Sequence, residues 1–304
     1  MKKLLSRFKK EILVAPLLVI TFFLQFLVQS KLPIPADNLL GLYHPWRDNS
    51  YSDFDQEKYP AKNPLVTDPI LQTYPWKSVV VRNVKNLNLP LWNPYSFAGE
   101  PLFANIQASV LQINNIFYYF FPFNISWTLN IIICSVALSL FMYLFLRSID
   151  LSELSAIFGA SIIGFTAFFT VWLTWGNIVQ TAMWLPLILF LINELSKKIR
   201  PIYFPMLVFA YFQSIVSGHT QISLYILILA FLFTIYKILI LKNIQITIIL
   251  LSAITLGAVV SSIQILPTLE LASLSNRSSD QSYFIGREDW FIPLKHLIQI
   301  IIPD

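Results

Sequence analysis

Apolar residues run through most of this chain in long stretches separated by short charged connections. The runs Ile12–Val28 and Ile222–Tyr236 are apolar on every face, which suits helices surrounded by lipid. Seven spanning candidates are read: Ile12–Gln29, Ile125–Leu146, Leu154–Thr174, Ile178–Leu195, Tyr203–Ser217, Ile222–Leu241 and Ile244–Leu266. The third and fourth are joined only by "WGN", which predicts a tight helical hairpin. Composition agrees with this picture. Of 304 residues, 56% are hydrophobic and 12% charged, with a mean hydropathy of +0.64. Ordinary soluble domains carry about 25% charged residues, so lipid must be the solvent for much of the chain.

Between the first two runs the pattern changes. Residues 31–124 form a connection of about 95 residues through which Trp, Tyr, Phe and Leu recur. Loops of that length are usually functional or disordered, and this one is too rich in large apolar residues for disorder. Short helices at the membrane surface are expected, best over "DPILQTYPWKSVVVRNVKNLN" from Asp68 and "PLFANIQASVLQINNIFYYFFPF" from Pro101. The stretch Leu89–Gln107, "LPLWNPYSFAGEPLFANIQ", reads as a rigid segment folding back onto the membrane. Pro90, Pro94 and Pro101 restrict its path, Gly99 permits a turn, and Trp92 suits the interface. A purely structural re-entrant loop would use the same residues. There is a weak internal echo, "DNLLGLYHPWR" from Asp37 and "DPILQTYPWK" from Asp68, each with Tyr six residues on, then Pro-Trp and a cation. "DWFIPLKHLIQIIIPD" at the end resembles the approach to another span. The expected organisation is thus one transmembrane region over 1–304: an extracytoplasmic loop at 31–124, a membrane bundle at 125–267, and an outer segment at 268–304 leading into a further span of a longer protein.

Charge sets the orientation. With the N-terminus in the cytoplasm, the inner side holds Lys2, Lys3, Arg7, Lys9, Lys10, Arg147, Lys197, Lys198, Arg200, Lys237 and Lys242, eleven cations against the four acids Glu11, Asp150, Glu153 and Glu194. The outer side holds ten cations and twelve acids. That bias follows the positive-inside rule and accounts for the net charge of +5 without nucleic acid. The apolar run after "MKKLLSRFKK" is long and lacks an A-x-A-like cleavage site, so it reads as an uncleaved anchor in the cell membrane. A single cysteine, Cys134, excludes an intrachain disulfide and a cysteine zinc site.

Under this topology the polar residues near the membrane gather on the outer side. They include Asp37, Asp68, Asn93, Asn105, Gln107, Trp175, Asn177, Gln264, Glu270 and the turn "SGHTQ" with His219 and Gln221. Each has a plainer reading as well. Asp68 precedes Pro69 and suits a helix N-cap, Asp37 suits a turn, and His219 suits a wet helix end. The chain has no Walker loop, G-x-G-x-x-G, H-E-x-x-H or G-x-S-x-G. Its three histidines are widely spaced and give no metal-ligand cluster, so no cofactor is named; a divalent metal stays open. The spans hold almost no charge, which argues against an ion-coupled pump. An outer carboxylate surrounded by aromatics, amides and cations fits inverting glycosyl transfer from a lipid-phosphate sugar. That reaction needs a base for the acceptor hydroxyl and donors for the departing phosphate. Asn93, Asn105 and Gln107 offer neutral hydrogen bonds suited to sugar hydroxyls.

The segments "DPILQTYPWK", "LPLWNPYSFAGEPLFANIQ", "WGNIVQTAMWLPLIL" and "SGHTQISLY" together resemble the YfhO family of bacterial multi-pass membrane proteins, from about Pro33 to Glu270. Its elements D-P-x-x-Q-x-x-P-W and P-L-W-N-P-x-x-x-x-G-x-P are the more specific ones, and "PADNLLGLYHPW" matches a further family feature. The resemblance implies an all-α, GT-C-like polytopic bundle acting as a glycosyltransferase. It implies a polyprenyl-phosphate sugar donor and an envelope polymer or glycolipid acceptor such as lipoteichoic acid. It makes Asp68 and Asp37 the candidates for the catalytic carboxylate, Asp68 preferred for its tighter motif. Gln72, Trp76, Lys77, Arg82, Trp92, Asn93, Asn105, Gln107, Asn177, His219 and Gln221 become candidates for substrate binding. Family members have more spans and a further outer domain. The competing readings are a lipid-linked-saccharide flippase and a non-catalytic scaffold for envelope assembly.

Overall fold

The structure is a computed structural model that describes residues 13–29, 31–49, 63, 66–276, 296 and 298. The N-terminal cations, Glu11 and most of the segment after Asn276 lie outside the described residues. The chain is mostly helical: α1 (Val14–Val28), α2 (Ala36–Leu42), α3 (Tyr74–Lys85), α4 (Phe117–Phe120), α5 (Phe123–Ser148), α6 (Glu153–Phe165), α7 (Ala167–Trp172), α8 (Asn177–Ala182), α9 (Trp184–Lys197), α10 (Tyr203–Val216), α11 (Thr220–Leu241) and α12 (Ile244–Leu274). Two short strands, β1 (Trp92–Asn93) and β2 (Glu100–Pro101), pair antiparallel with Trp92 opposite Pro101 and Asn93 opposite Glu100.

Four helical stretches are long and apolar enough to cross a membrane: Phe123–Ser148, Asn177–Lys197, Thr220–Leu241 and Ile244–Leu274. The pair α6 and α7 makes a fifth when its 40° bend is counted within one span. The other two of the seven expected spans, Val14–Phe26 and Tyr203–Val216, are apolar but shorter. Thr166 lies between α6 and α7 with extended backbone (φ −59°, ψ 144°), so the third expected span is broken there. The last helix exceeds its expected length and carries Pro267 within it.

The bundle is built around α9, which packs on α5, α10, α11 and α12, while α1 and α6 cover the far side of α5. Most of the Asn177–Lys197 span, 83%, is buried, against 17% for Thr220–Leu241 and 22% for Ile244–Leu274. The first is therefore the core helix, and the last two turn their apolar faces outward, as helices bathed in lipid do. Close approach of α10 and α12 depends on Gly257, where a Cβ would lie 2.6 Å from Tyr211 Cβ, the small-residue contact common between membrane helices.

The two ends of the bundle differ. At one end Asn193 Nδ2 donates to Ser148 O (2.7 Å). Lys197 donates to the same carbonyl and lies 3.7 Å from Asp150 and 3.9 Å from Glu194. At the other end sit the turns that start α5, α8 and α11 and the long connection before α5. Helix starts are capped locally: Ser152 Oγ accepts from Ser155 N, and Asn243 Oδ1 accepts from Gln245 N and Ile246 N.

Within that long connection the two expected surface helices fare differently. From Pro69 the chain forms a π-type turn to Thr73 and runs on as α3. The second, from Pro101, is not one helix. It breaks into 3-10 turns at Ile106–Ala108 and Ile113–Ile116 before α4. Its side chains explain why. Asn105 caps Gln107 N (3.1 Å), and the amide of Asn115 turns back to Ser109 O and Val110 O (2.8 and 2.9 Å). Such local bonds compete with helix.

Candidate functional site

Asp68 stands at the start of the π-type turn, yet its side chain caps no backbone N–H. Its carboxylate accepts from Gln72 Nε2 (3.3 Å) and from Trp175 Nε1 (3.4 Å), a residue 107 positions away. Trp175 ends the 3-10 turn after α7. Gly176 then adopts φ +76° to start α8; left-handed backbone there favours glycine. The expected "WGN" hairpin is this turn, and it carries the indole to Asp68.

Trp175, Gly176 and Asn177 form one wall of a polar cavity of about 20 Å³, room for a water-sized group. Thr73 and Lys77 contribute from the π turn and α3, Gln107 and Ser109 from the loop, and Asn130 and Trp127 from α5. Aromatic contacts hold α3 in place: Tyr74 packs edge-on to Phe123 (4.8 Å between centroids) and against Trp127 (5.1 Å).

Lys77 is buried. Its Nζ donates to Ala108 O (3.0 Å), Ser109 O (3.1 Å) and Asn115 Oδ1 (2.8 Å), which matches the three protons of an ammonium. Among the described residues no carboxylate pairs with it, and burial pushes it down to about 7. Asn177 Oδ1 and Asn130 Oδ1 receive no hydrogen bond, although both residues are almost fully buried, at 3% and 2% exposure. A buried acceptor left without a donor costs roughly 1–3 kcal/mol.

The loop wall is riveted to the bundle by side chains that bond to its backbone. Gln213 donates to Leu111 O and accepts from Ile113 N (3.2 and 2.9 Å). Gln264 donates to Phe103 O (2.7 Å), Thr268 to Ala104 O (2.8 Å), and Ser109 Oγ to Ser217 O (2.9 Å). Gly218 (φ +107°) makes the last contact possible, since a Cβ there would lie 2.2 Å from Ser109 Oγ and 3.2 Å from Asn177 Cβ. Gln213, Asn115, Thr268 and Ser109 were not foreseen as site residues; a buried glutamine inside the apolar Tyr203–Ser217 run was the visible signal for one of them.

On the far side of this seam, an apolar groove opens between α11 and α12, floored by α10. One section of about 310 Å³ includes Tyr211, Ile215, Leu227 and Ile254; the next, of about 260 Å³, shares Ile215 and Leu227 and reaches Ile106, Thr220 and Thr268. The Ile106–Ser109 turn therefore borders both the groove and the polar cavity.

The other candidates lie elsewhere. Arg82 is exposed and donates to Tyr95 Oη (2.7 Å). Trp92 is exposed, with its ring beneath Gly99 (φ +116°), where a Cβ would lie 2.6 Å from it. Buried Asn93 donates to Glu100 (2.9 Å), which also accepts from Trp76 Nε1 (3.1 Å). Gln221 is exposed and bonds Tyr225 Oη (2.7 Å). His219 Nδ1 caps α11 by accepting from Ile222 N (3.3 Å), and burial pushes its pKa down, in keeping with an unprotonated Nδ1. Asp37 is half-buried on α2, and the next residue, Asn38, donates to Asn63 O and Val66 O (2.7 and 2.9 Å), tying α2 to the approach to Asp68. Among the described residues no group of three or more His, Cys, Asp or Glu gathers as a metal site. No protein-family profile, curated protein or solved structure matches this chain.

Proposed function

We propose that this membrane protein is a glycosyltransferase of the YfhO type. It moves a sugar from a polyprenyl-phosphate donor to a cell-envelope acceptor on the outer face, with Asp68 as general base. The observation that carries this reading is the Asp68 carboxylate. It caps nothing, it is half-buried, and the Trp175 indole holds it at the edge of a cavity lined by Lys77, Gln107 and Asn177. In the inverting reaction the acceptor hydroxyl oxygen attacks the anomeric carbon and loses its proton to Asp68. The bond from that carbon to the phosphate oxygen breaks, and its electron pair leaves with the phosphate. The groove between α11 and α12 suits the prenyl tail, because its upper section ends at Ile106, on the turn that also borders the cavity. A phosphate at that mouth would lie by Thr220, at the start of α11. Asp37 takes a supporting role.

The test uses membranes containing the full chain and a radiolabelled polyprenyl-phosphate hexose. Wild type should discharge the donor, and Asp68→Asn at equal expression should lose more than about a hundredfold. Equal rates would clear Asp68 and move the base to Asp37. No discharge with any of several sugars would overturn the transferase reading in favour of transport or scaffolding.

A further inference from the structure

The hairpin formed by β1 and β2 has its burial inverted. Asn93 is buried at 2% exposure, while Tyr95 and Phe97 stand 68% and 94% exposed at the tip. A buried amide beneath an exposed apolar patch is the informative exception to ordinary burial. Asn93 builds the tip from within. Its Oδ1 accepts from Tyr95 N (3.1 Å), and its Nδ2 donates to Ser96 Oγ (3.2 Å) and Glu100 Oε1 (2.9 Å). The Trp92 ring beneath Gly99 fixes the return of the chain. Phe97 and Ala98 adopt left-handed backbone, at φ +51° and +59°, which residues with a Cβ rarely do. Strain of that kind persists where the surroundings impose it, and it gathers at ligand clamps. Here it holds a phenyl ring in the open.

Two observations point to what covers that ring. The first is its level in the bundle. Leu91 O, at the entry to β1, accepts from Leu102 N and Phe103 N (2.8 and 3.3 Å), and Phe103 O is held by Gln264 of α12. Gln264 lies twenty positions beyond Ile244, where α12 starts. That is about 30 Å along the helix axis, the thickness of a hydrocarbon core. Exposed apolar side chains continue past that level at Leu266 and Leu269, so lipid reaches the base of the hairpin. The second is charge. Arg82 donates to Tyr95 Oη (2.7 Å) and lies over its ring, 5.5 Å from the centroid. Exposed Lys85 follows one turn on in α3. The one acid of the hairpin, Glu100, is engaged by Trp76 and Asn93. Cations beside Trp and Tyr suit lipid phosphates.

We propose that the hairpin tip is a membrane anchor. Phe97 enters the leaflet on the cavity side, Trp92 and Tyr95 lie at headgroup level, and Arg82 and Lys85 face the phosphates of anionic lipids. The anchor holds the far end of α3, the helix that carries Lys77, against the bilayer. It does not depend on the transferase reading.

The test reads depth directly. The full chain is reconstituted in nanodiscs of phosphatidylglycerol and phosphatidylethanolamine, with a nitroxide on Phe97→Cys and, separately, on Tyr95→Cys. The native Cys134 is buried, and Asn88→Cys, at an exposed polar position, is the reference in water. Collisions with oxygen, which concentrates in lipid, are compared with collisions with a neutral nickel chelate, which stays in water. The oxygen-to-nickel ratio at 97 should be severalfold that at 88, with 95 between the two. Equal ratios at 97 and 88 would put the tip in water and overturn the inference. Loss of both kinds of collision at 97 would mean that protein, a second copy or another partner, covers the tip, and would overturn it equally. If Phe97→Cys does not fold, Tyr95→Cys decides by the same comparison with 88.

Discussion

At the scale of single residues, burial without a counter-charge is the distinctive condition of this site. Lys77 has three uncharged acceptors and a pKa pushed down to about 7 by burial. The unfolded chain holds that proton until near the ordinary lysine value of 10.5. Between the two values the unfolded state binds more protons, so stability rises with pH from about 7 upward and is lost as pH falls through 7. Thermal unfolding of the detergent-solubilised protein at pH 6 and pH 9 should show the higher melting temperature at pH 9. Lys77→Met should flatten that difference; an unchanged slope would assign it to other groups. Asp68 is the complementary case. Its place before Pro69 could be read locally, but its partner Trp175 could not, because the two lie 107 positions apart.

Among the elements, the site depends on two turns that look alike in sequence and differ in surroundings. Gly176 and Gly218 both have positive φ, at +76° and +107°. A Cβ at Gly176 would meet nothing closer than 3.7 Å, whereas one at Gly218 would strike Ser109 Oγ and crowd Ile106 O. Gly176→Ala should therefore cost only its backbone term, roughly 1–3 kcal/mol. Gly218→Ala should cost more and push the Ile106–Ser109 turn off the α10–α11 end, opening the cavity to the groove. Comparing melting temperatures of the two variants checks the order, and limited proteolysis near residue 107 checks the displacement. Equal melting temperatures with an intact loop would show that the Gly218 seam tolerates a methyl group. Neither turn required foresight of the fold to be located, since "WGN" and "SGHTQ" interrupt apolar runs. Their difference in severity did.

For the molecule as a whole, the bundle has a charged end, at Ser148, Asp150, Glu194 and Lys197, and an end that carries the loop and the cavity. In the topology proposed from the positive-inside rule, the charged end faces the cytoplasm. Cys134 is buried and leaves a quiet background for labelling. A cysteine at Leu89, which is 76% exposed, should react with a membrane-impermeant maleimide in intact cells. One at Lys198 should react only after permeabilisation. The opposite pattern would put the cavity in the cytoplasm and remove the outer-face reaction.

The hydropathy pattern by itself determined that the chain is a helical membrane protein, where its principal apolar helices lie, and which connections bear polar residues. These properties are local: a run of apolar side chains meets lipid whatever it later packs against. Tertiary structure decided that the Phe123–Ser148 and Asn177–Lys197 helices supply the core while the last two face lipid, although all four are apolar. It also decided that the segment after Pro101 would turn repeatedly instead of forming one helix. Above all it decided which polar residues share a cavity. Lys77, Asn130, Asn177 and Gln180 are brought together there, whereas Arg82, Trp92 and Gln221 stay on exposed surfaces. A residue's tendency to be buried is written in its own neighbourhood. The hydrogen-bond partner that satisfies it comes from a segment many residues away.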